Sequence, residues 1–406
     1  MSDGVIIIGG SHAAIACADH LRKSGYEGPI AIHSREAELP YQRPPLSKGY
    51  VSGAVTLDRL HLRPKEWYSD QNIDLHLSSM ITSISRESKE IVTTDSERYA
   101  YETLVLATGA EARSLPDDIG GSLSNVHLMR DLDDANALKK VMAVGKKVVI
   151  IGGGYIGLEA AAEASKAGMD VTLIEAAPRI LQRVACEQTA DVFRALHAAH
   201  GVKIMEDTQI DRIEPDASGA ARVVRLANGT ELACDLVIVG IGITPNTDLA
   251  LAAGLDVAVG ISVDEHGRTS DPDIYASGDC TVLPMHNTPT RLESVQNAHD
   301  QAAIVAENIA GRETQYHPEP WFWSDQYDMK LQIAGLNRGY DTVVVRPGKR
   351  EGSVSHFYFK GDEFLAVDCL NDGATYMLSR KVLASGKTLT PSMAGDESFA
   401  LKSLLA

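Results

Sequence analysis

Two stretches of this chain follow one plan, and that repeat constrains the fold more than any other feature. "GVIIIGGSHAAIACADHLRKSGYEGPIAIHS" spans residues 4–34 and "KKVVIIGGGYIGLEAAAEASKAGMDVTLIEA" spans residues 146–176. Each runs through an unbroken apolar strand, a glycine turn, an Ala-rich helix, a closing glycine (Gly25 or Gly168) and a second apolar strand. A strand that is apolar at every position suits burial on both faces, as in a parallel sheet covered by helices. Each stretch therefore reads as a βαβ unit, and two of them predict two separate Rossmann-type nucleotide-binding domains in an α/β protein. "YETLVLATGA" (101–110) and "CDLVIVGIGITPN" (234–246) each close the stretch begun by one unit, and "TSDPDIYASGDC" (269–280) ends a short strand at Gly278–Asp279. From "PWFWSDQYDMKLQIAG" (320–335) onward, aromatics and short-range alternation predict a smaller C-terminal α+β domain. A length of 406 residues fits two or three domains better than one core.

The second glycine turn is intact: Gly152-x-Gly154-x-x-Gly157 follows a strand and opens a helix. Glycines there permit a tight turn, close approach of a pyrophosphate and close helix–strand packing, while the helix N-terminus offers N–H groups to the phosphates. Glu175 ends the next strand, 18 residues past Gly157. Its carboxylate is placed to accept from both hydroxyls of an adenosine ribose and to repel a 2′-phosphate, which favours NADH over NADPH. Arg179 and Arg183 nearby pull the other way, because arginine can hold that phosphate.

The first turn is degenerate, Gly9-x-Ser11-x-x-Ala14. Ser11 puts a side chain where a phosphate comes closest, Ala14 crowds the helix–strand contact, and Arg35 stands where an acid is usual, with Glu36 beside it. The unit alone reads either as a nucleotide site or as a plain packed βαβ. Asp279, after a short strand, suits a ribityl hydroxyl, or is simply a turn-forming Asp. A flavin and a nicotinamide are the natural pair for two such sites. His12 in the first turn reads as a helix-start residue near phosphate, and His33 as packing.

The stretch "YQRPPLSKGY" (41–50) is neither helix interior nor central strand, because Pro44 and Pro45 lack N–H groups. Its Arg43 and Lys48 are costly to bury without partners. Lys48 reads either as a solvated surface lysine or as the partner of a buried acid.

Composition narrows the class. The net charge of −17 argues against nucleic acid or anionic membrane as a partner of the overall field. Five dispersed cysteines without a CxxC pair suit a reducing cytosol, no apolar run reaches membrane-spanning length, and no signal peptide is apparent, so a cytoplasmic location is expected. No His/Cys/carboxylate cluster has metal-ligand spacing, so no metal is expected.

In order, "YQRPPLSKGY", "LVLATG", "VVIIGGGYIGLEAA", "IYASGDC", "RLESVQNA" and "PWFWSDQYD" resemble the FAD-dependent NADH:ferredoxin reductases of bacterial oxygenase systems, the putidaredoxin reductase and biphenyl dioxygenase reductase type. The resemblance runs from about residue 4 to the C-terminus. It implies a glutathione-reductase-like fold: a discontinuous FAD domain (1–112 and 245–319), an inserted NADH domain (113–244) and the C-terminal α+β domain (320–406). It implies that Gly9, Ala13, Ala14, Arg35, Glu36, Arg43, Lys48, Ile81, Ala107, Thr108, Gly109, Arg130, Gly278, Asp279, Val295 and Trp323 serve FAD. Gly152, Gly154, Tyr155, Ile156, Gly157, Glu159, Glu175, Arg183 and Gly242 would serve NADH. Lys48 would pair with Glu159 beside the flavin as the catalytic pair. The implied activity is hydride transfer from NADH to FAD, then single-electron transfer to a small iron–sulfur ferredoxin that docks transiently and electrostatically. The oligomeric state is left open between a monomer and a weak dimer. The departures Ser11, Ala14, Arg35 and Gln296, which replaces a frequent proline, predict weaker FAD retention.

Two other readings share the fold. One is reduction of a small acceptor such as a quinone or monodehydroascorbate, which needs only an accessible flavin edge. The other is a redox-sensing interaction flavoprotein like apoptosis-inducing factor, against which the chain's length and lack of basic stretches argue. Disulfide reduction lacks its cysteine pair in the region reading "PYQRPPLSK".

Overall fold

The computed structural model describes residues 4–285 and 288–405. They gather into two compact units. One takes the chain up to Arg43, Thr56–Glu111 and Ile243–Pro318; the other takes Pro44–Val55, Ala112–Gly242 and the chain from Glu319. Residues 113–242 and 320–405, from the expected NADH and C-terminal domains, fall in the second unit together with the proline elbow, while Ile243 and Thr244 fall in the first. Residues 1–3, 286–287 and 406 of the expected bounds lie outside the described residues.

The chain opens with β1 (Val5–Ile8), α1 (His12–Lys23), β2 (Ile30–His33), β3 (Ile73–His76) and β4 (Thr103–Leu106). It continues through β5 (Val126–His127), α2 (Leu132–Val141), β6 (Lys147–Ile151), α3 (Tyr155–Lys166), β7 (Asp170–Ile174), α4 (Glu187–Ala199), β8 (Lys203–Met205) and β9 (Leu236–Val239). After β10 (Ile274–Ala276) and α5 (Val295–Ile309) come β11 (Trp321–Gln326), β12 (Met329–Gly335), β13 (Thr342–Pro347), β14 (Val354–Lys360), β15 (Glu363–Leu370) and α6 (Gly373–Ser385). Shorter elements connect these.

In the first unit, a parallel sheet runs in the order β10-β4-β1-β2-β3. Ile6 and Ile7 are adjacent in β1 and both fully buried, so both faces are covered, as the unbroken apolar run requires. Small residues bring α1 close to its neighbours: Ala14, Cys17 and Ala18 are all fully buried, and α1 packs along α5.

The second unit repeats the design in a parallel sheet ordered β8-β7-β6-β9-β5. It also holds an antiparallel sheet ordered β11-β12-β15-β14-β13. There Phe357 and Phe359 enter a core with Tyr376 and Val382 of α6. Tyr358, between them, points to the other face and packs with Cys186 just ahead of α4. The period-two alternation of a strand thus serves two cores.

Candidate active site

In the first unit the chemistry-bearing residues collect where strands end. Gly9 leaves β1 with φ 134°, and a Cβ there would lie 2.1 Å from the carbonyl oxygen of Ala107, which follows β4. Only glycine fits that contact. A Cβ on Gly278, which follows β10, would lie 3.1 Å from the Cβ of Ala13. The Gly278–Asp279 turn therefore abuts the first turn of α1. Thr108 and Asn246 lock the adjoining turn: the Thr108 hydroxyl donates to Asn246 O at 2.7 Å and Asn246 Nδ2 donates back to Thr108 O at 2.9 Å. Gly109 follows with φ 66°.

These turns leave the carboxyl ends of adjacent parallel strands, the crest where doubly wound sheets bind nucleotides. The residues fit a dinucleotide. The hydroxyl of Ser11 does not cap α1, so the helix N-terminus keeps its first-turn N–H groups clear of that side chain. Ser277 Oγ is buried without a partner beside the Gly278–Asp279 turn. Ser11 has φ −140°, extended backbone that any residue adopts, so its hydroxymethyl group is the only departure from glycine there. Ala14, in the place of the third glycine, is fully buried.

At the end of β2, Arg35 is exposed and ion-paired with Glu111. Glu36 accepts from the Tyr41 hydroxyl and from Arg43 Nη2, and the Arg43 guanidinium lies 5.3 Å from the Tyr41 ring centre. Arg43 is thus held beside the end of β2. Ile81 is buried at the start of strand Ile81–Ser85, and Val295 opens α5, capped by Ser294 accepting from Asn297 N–H at 3.0 Å. Gln296 next to it is buried and donates to Asp300. His12 meets His299 edge-on at 5.6 Å.

The second unit shows the same geometry with an intact turn. Gly152 has φ 111°, and a Cβ there would lie 2.4 Å from Gly240 O. A Cβ on Gly157 would strike Gly152 O at 1.9 Å, whereas one on Gly154 would meet nothing within 4 Å. The turn is closed on the protein side and open in front of α3. Glu175 follows β7: its Oε2 accepts from Gly153 N–H at 2.6 Å and its Oε1 from Ala177 N–H at 2.7 Å. The carboxylate is therefore aimed by two backbone donors. Arg179 turns away and donates to Ala185 O at 2.8 Å. Arg183 is exposed, near Gly242, which has φ 107°. Ile156 is 42% exposed in the first turn of α3, so the helix entrance carries an apolar contact surface. The hydroxyl of Tyr155 is buried without a partner, and burial, with Asp368 nearby, pushes its ionisation far above the ordinary range.

One turn farther along α3, Glu159 is 3% exposed. Burying a lone carboxylate costs several kcal/mol, so it needs donors. Three converge on it. Lys48 Nζ lies 2.9 Å from Oε2, the Ser47 hydroxyl donates to Oε2 at 2.8 Å, and the Ser324 hydroxyl donates to Oε1 at 2.7 Å. The elbow carrying Lys48 is a single helical turn, Leu46–Tyr50, in which Lys48 itself leaves helical geometry (φ −132°, ψ −115°). The turn is pinned to α2 by the Tyr50 hydroxyl donating to Asn136 Oδ1 at 2.7 Å. Ser47 and Ser324 were not singled out from sequence. Both lie inside the quoted motifs, but a serine has no spacing signature that would mark it.

Arg130 and Trp323, assigned to FAD by resemblance, belong to this second unit, as does Lys48. Arg130 donates its backbone N–H to Asp134 Oδ2 at 2.8 Å ahead of α2. Trp323 lies 5.5 Å from Trp321, whose ring carries the Arg380 guanidinium at 5.2 Å. Among the described residues, no cluster of three or more His, Cys, Asp or Glu is arranged to hold a metal ion, and no helix is long and apolar enough to cross a membrane.

Comparison with known proteins agrees with this architecture. Residues 3–302 match the family described as pyridine nucleotide-disulphide oxidoreductase, and residues 321–405 match the reductase C-terminal domain. Putidaredoxin reductase of Pseudomonas putida is 39% identical over 410 residues, with 100% of this chain and 97% of the relative covered. Rhodocoxin reductase of Rhodococcus erythropolis is 41% identical over 404 residues, with 99% and 94% covered. A solved putidaredoxin reductase–putidaredoxin covalent complex matches with a TM-score of 0.96 at 39% identity, covering 99% of this chain and 98% of that chain.

Proposed function

Because the chain belongs to the pyridine nucleotide-disulphide oxidoreductase family and carries a reductase C-terminal domain, we propose that it is an NADH-dependent ferredoxin reductase. It takes a hydride from NADH and delivers single electrons to a small iron–sulfur ferredoxin serving an oxygenase. Bound FAD supplies the conversion between two-electron and one-electron chemistry. The crest around Gly9, Ala107–Gly109 and Gly278–Asp279 holds FAD, and the crest around Gly152–Gly157, Glu175 and Gly242 holds NADH.

The observation that carries this reading is the pair of half-buried Lys48 and buried Glu159, joined at 2.9 Å one turn past the nicotinamide-side glycine turn. Lys48 brings a positive charge that favours negative charge developing on a reduced ring, and Glu159 fixes the ammonium and orients the nicotinamide. The five cysteines are free and buried. Burial raises the thiols of Cys17, Cys234, Cys280 and Cys369, to about 12 at Cys17 and about 11 at Cys234, which supports electrons leaving without a thiol relay. Unpaired cysteines also support a cytoplasmic location. The ion pair of Glu36 with Arg43 supports a compensated adenosine end in which Arg43 supplies the positive charge.

The test is anaerobic stopped-flow reduction of the flavin-loaded protein by NADH and by NADPH, followed by mixing with an oxidised iron–sulfur ferredoxin. Fast bleaching of the flavin by NADH and reduction of the ferredoxin are expected. Bleaching by NADH with no ferredoxin reduced points instead to a small-molecule acceptor.

A further inference from the structure

The motif "PWFWSDQYD" contributes more than aromatic rings, because its polar residues lead to Glu159. Ser324 and Gln326 alternate with outward residues on β11 and are both fully buried. Gln326 Nε2 lies 3.1 Å from Ser324 Oγ, and Gln326 Oε1 lies 2.8 Å from Nε2 of His197, another fully buried residue, in α4. The direction of this chain is forced. Glu159 as a carboxylate only accepts, so Ser324 spends its one proton on Oε1 and can only accept from behind. Gln326 must then present its amide nitrogen to Ser324 and its oxygen to His197, which must hold its proton on Nε2. His197 Nδ1 is buried without a partner, which suits a nitrogen that carries no proton, and burial lowers the basicity of the ring below the ordinary 6.5.

We propose that Ser324 is a positioning residue for hydride transfer: backed by Gln326 and His197, it fixes Glu159 Oε1 so that Oε2 stays on Lys48. The C-terminal sheet thereby sets the geometry of the nicotinamide-side pair. This inference rests on the reading that Lys48 and Glu159 serve the hydride step.

The experiment compares S324A, S324T, E159L and S324A/E159L with the parent. The limiting rate of flavin bleaching by NADH, the NADH concentration at half-maximal rate, and the melting temperature of the protein as purified are measured for each. S324A is expected to lower the limiting rate about tenfold, the scale of one lost hydrogen bond to a charged group, without changing the half-maximal concentration. S324T restores the rate. In the E159L background S324A adds no further loss of rate, and it lowers the melting temperature in the parent background only. If S324A does not fold, S324C, whose thiol donates weakly, takes its place under the same criteria. A parent-like rate in S324A while E159L is slow overturns the inference and leaves the proposed role of the pair standing, as does an equal S324A loss in both backgrounds. A parent-like rate in E159L overturns the role of the pair itself, and the inference with it.

Discussion

Lys48 Nζ lies 2.9 Å from Oε2 of Glu159, and the two side chains are only 20% and 3% exposed. The lysine sits on an elbow stiffened by Pro44 and Pro45, and the glutamate on the second turn of α3. Neither placement is cheap, and each makes sense through the other: the acid is buried with its counterion, and the elbow has an anchor. Several expectations about the protein's behaviour rest on this contact and on the two glycine turns.

Removing one charge of this pair exposes the cost of burying the other. K48M leaves the Glu159 carboxylate with two neutral hydroxyl donors and should destabilise the protein by about 3 kcal/mol, the scale for breaking a buried pair. K48M/E159L, which removes both charges, should recover most of that loss. Urea unfolding of the two variants and the parent measures the difference, and equal losses in K48M and the double variant would contradict the ion-pair account.

Glu175 should set the choice of nicotinamide. Its two oxygens are aimed by Gly153 and Ala177 N–H groups, and Arg179 is committed to Ala185 O. E175A should weaken NADH about tenfold, the scale of a lost hydrogen bond to a charged group, and improve NADPH by removing the repulsion of a 2′-phosphate. The ratio of kcat/KM for the two donors reports it.

FAD retention should respond to position 11. The Ser11 backbone is extended and needs no glycine, so S11G removes only the hydroxymethyl group, which is expected to face an incoming phosphate. S11G should tighten FAD several-fold, read as the flavin fluorescence released on serial dilution. Unchanged release would show that the hydroxymethyl group does not hinder the phosphate.

A buried cluster in the second unit should give stability an opposed pH dependence. Asp368 Oδ2 accepts from the Tyr358 and Thr189 hydroxyls, and Thr189 Oγ1 lies 2.7 Å from His356 Nδ1. Burial raises the Asp368 carboxyl from its ordinary 3.8 to about 6 and lowers His356 from 6.5 to about 4. Between pH 4 and 6 the folded protein binds more protons at Asp368 than the unfolded chain does, so that group's contribution falls as pH rises. His356 binds fewer when folded between pH 4 and 6.5, so its contribution rises. D368N removes the falling slope. Its melting temperature relative to the parent should therefore climb by a few degrees, about 2–3 kcal/mol, from pH 4 to pH 6.5, and a flat difference would contradict the buried-acid assignment.

What the sequence by itself determined is local and periodic. Unbroken apolar strands, glycines at 9 and 152, and Ala-rich helices specify two parallel βαβ units, because each signal lies within about 30 residues of chain and reflects burial on both faces. The Lys48–Glu159 pair came into view only through resemblance. Tertiary structure alone decided that Ser47 and Ser324, 112 and 165 residues from Glu159, would supply its other donors. It also decided that Arg43 would hold Glu36 and that Arg179 would turn to backbone carbonyls. A hydroxyl or guanidinium finds its acceptor by the packing of distant segments, and no periodicity along the chain records which acceptor that is.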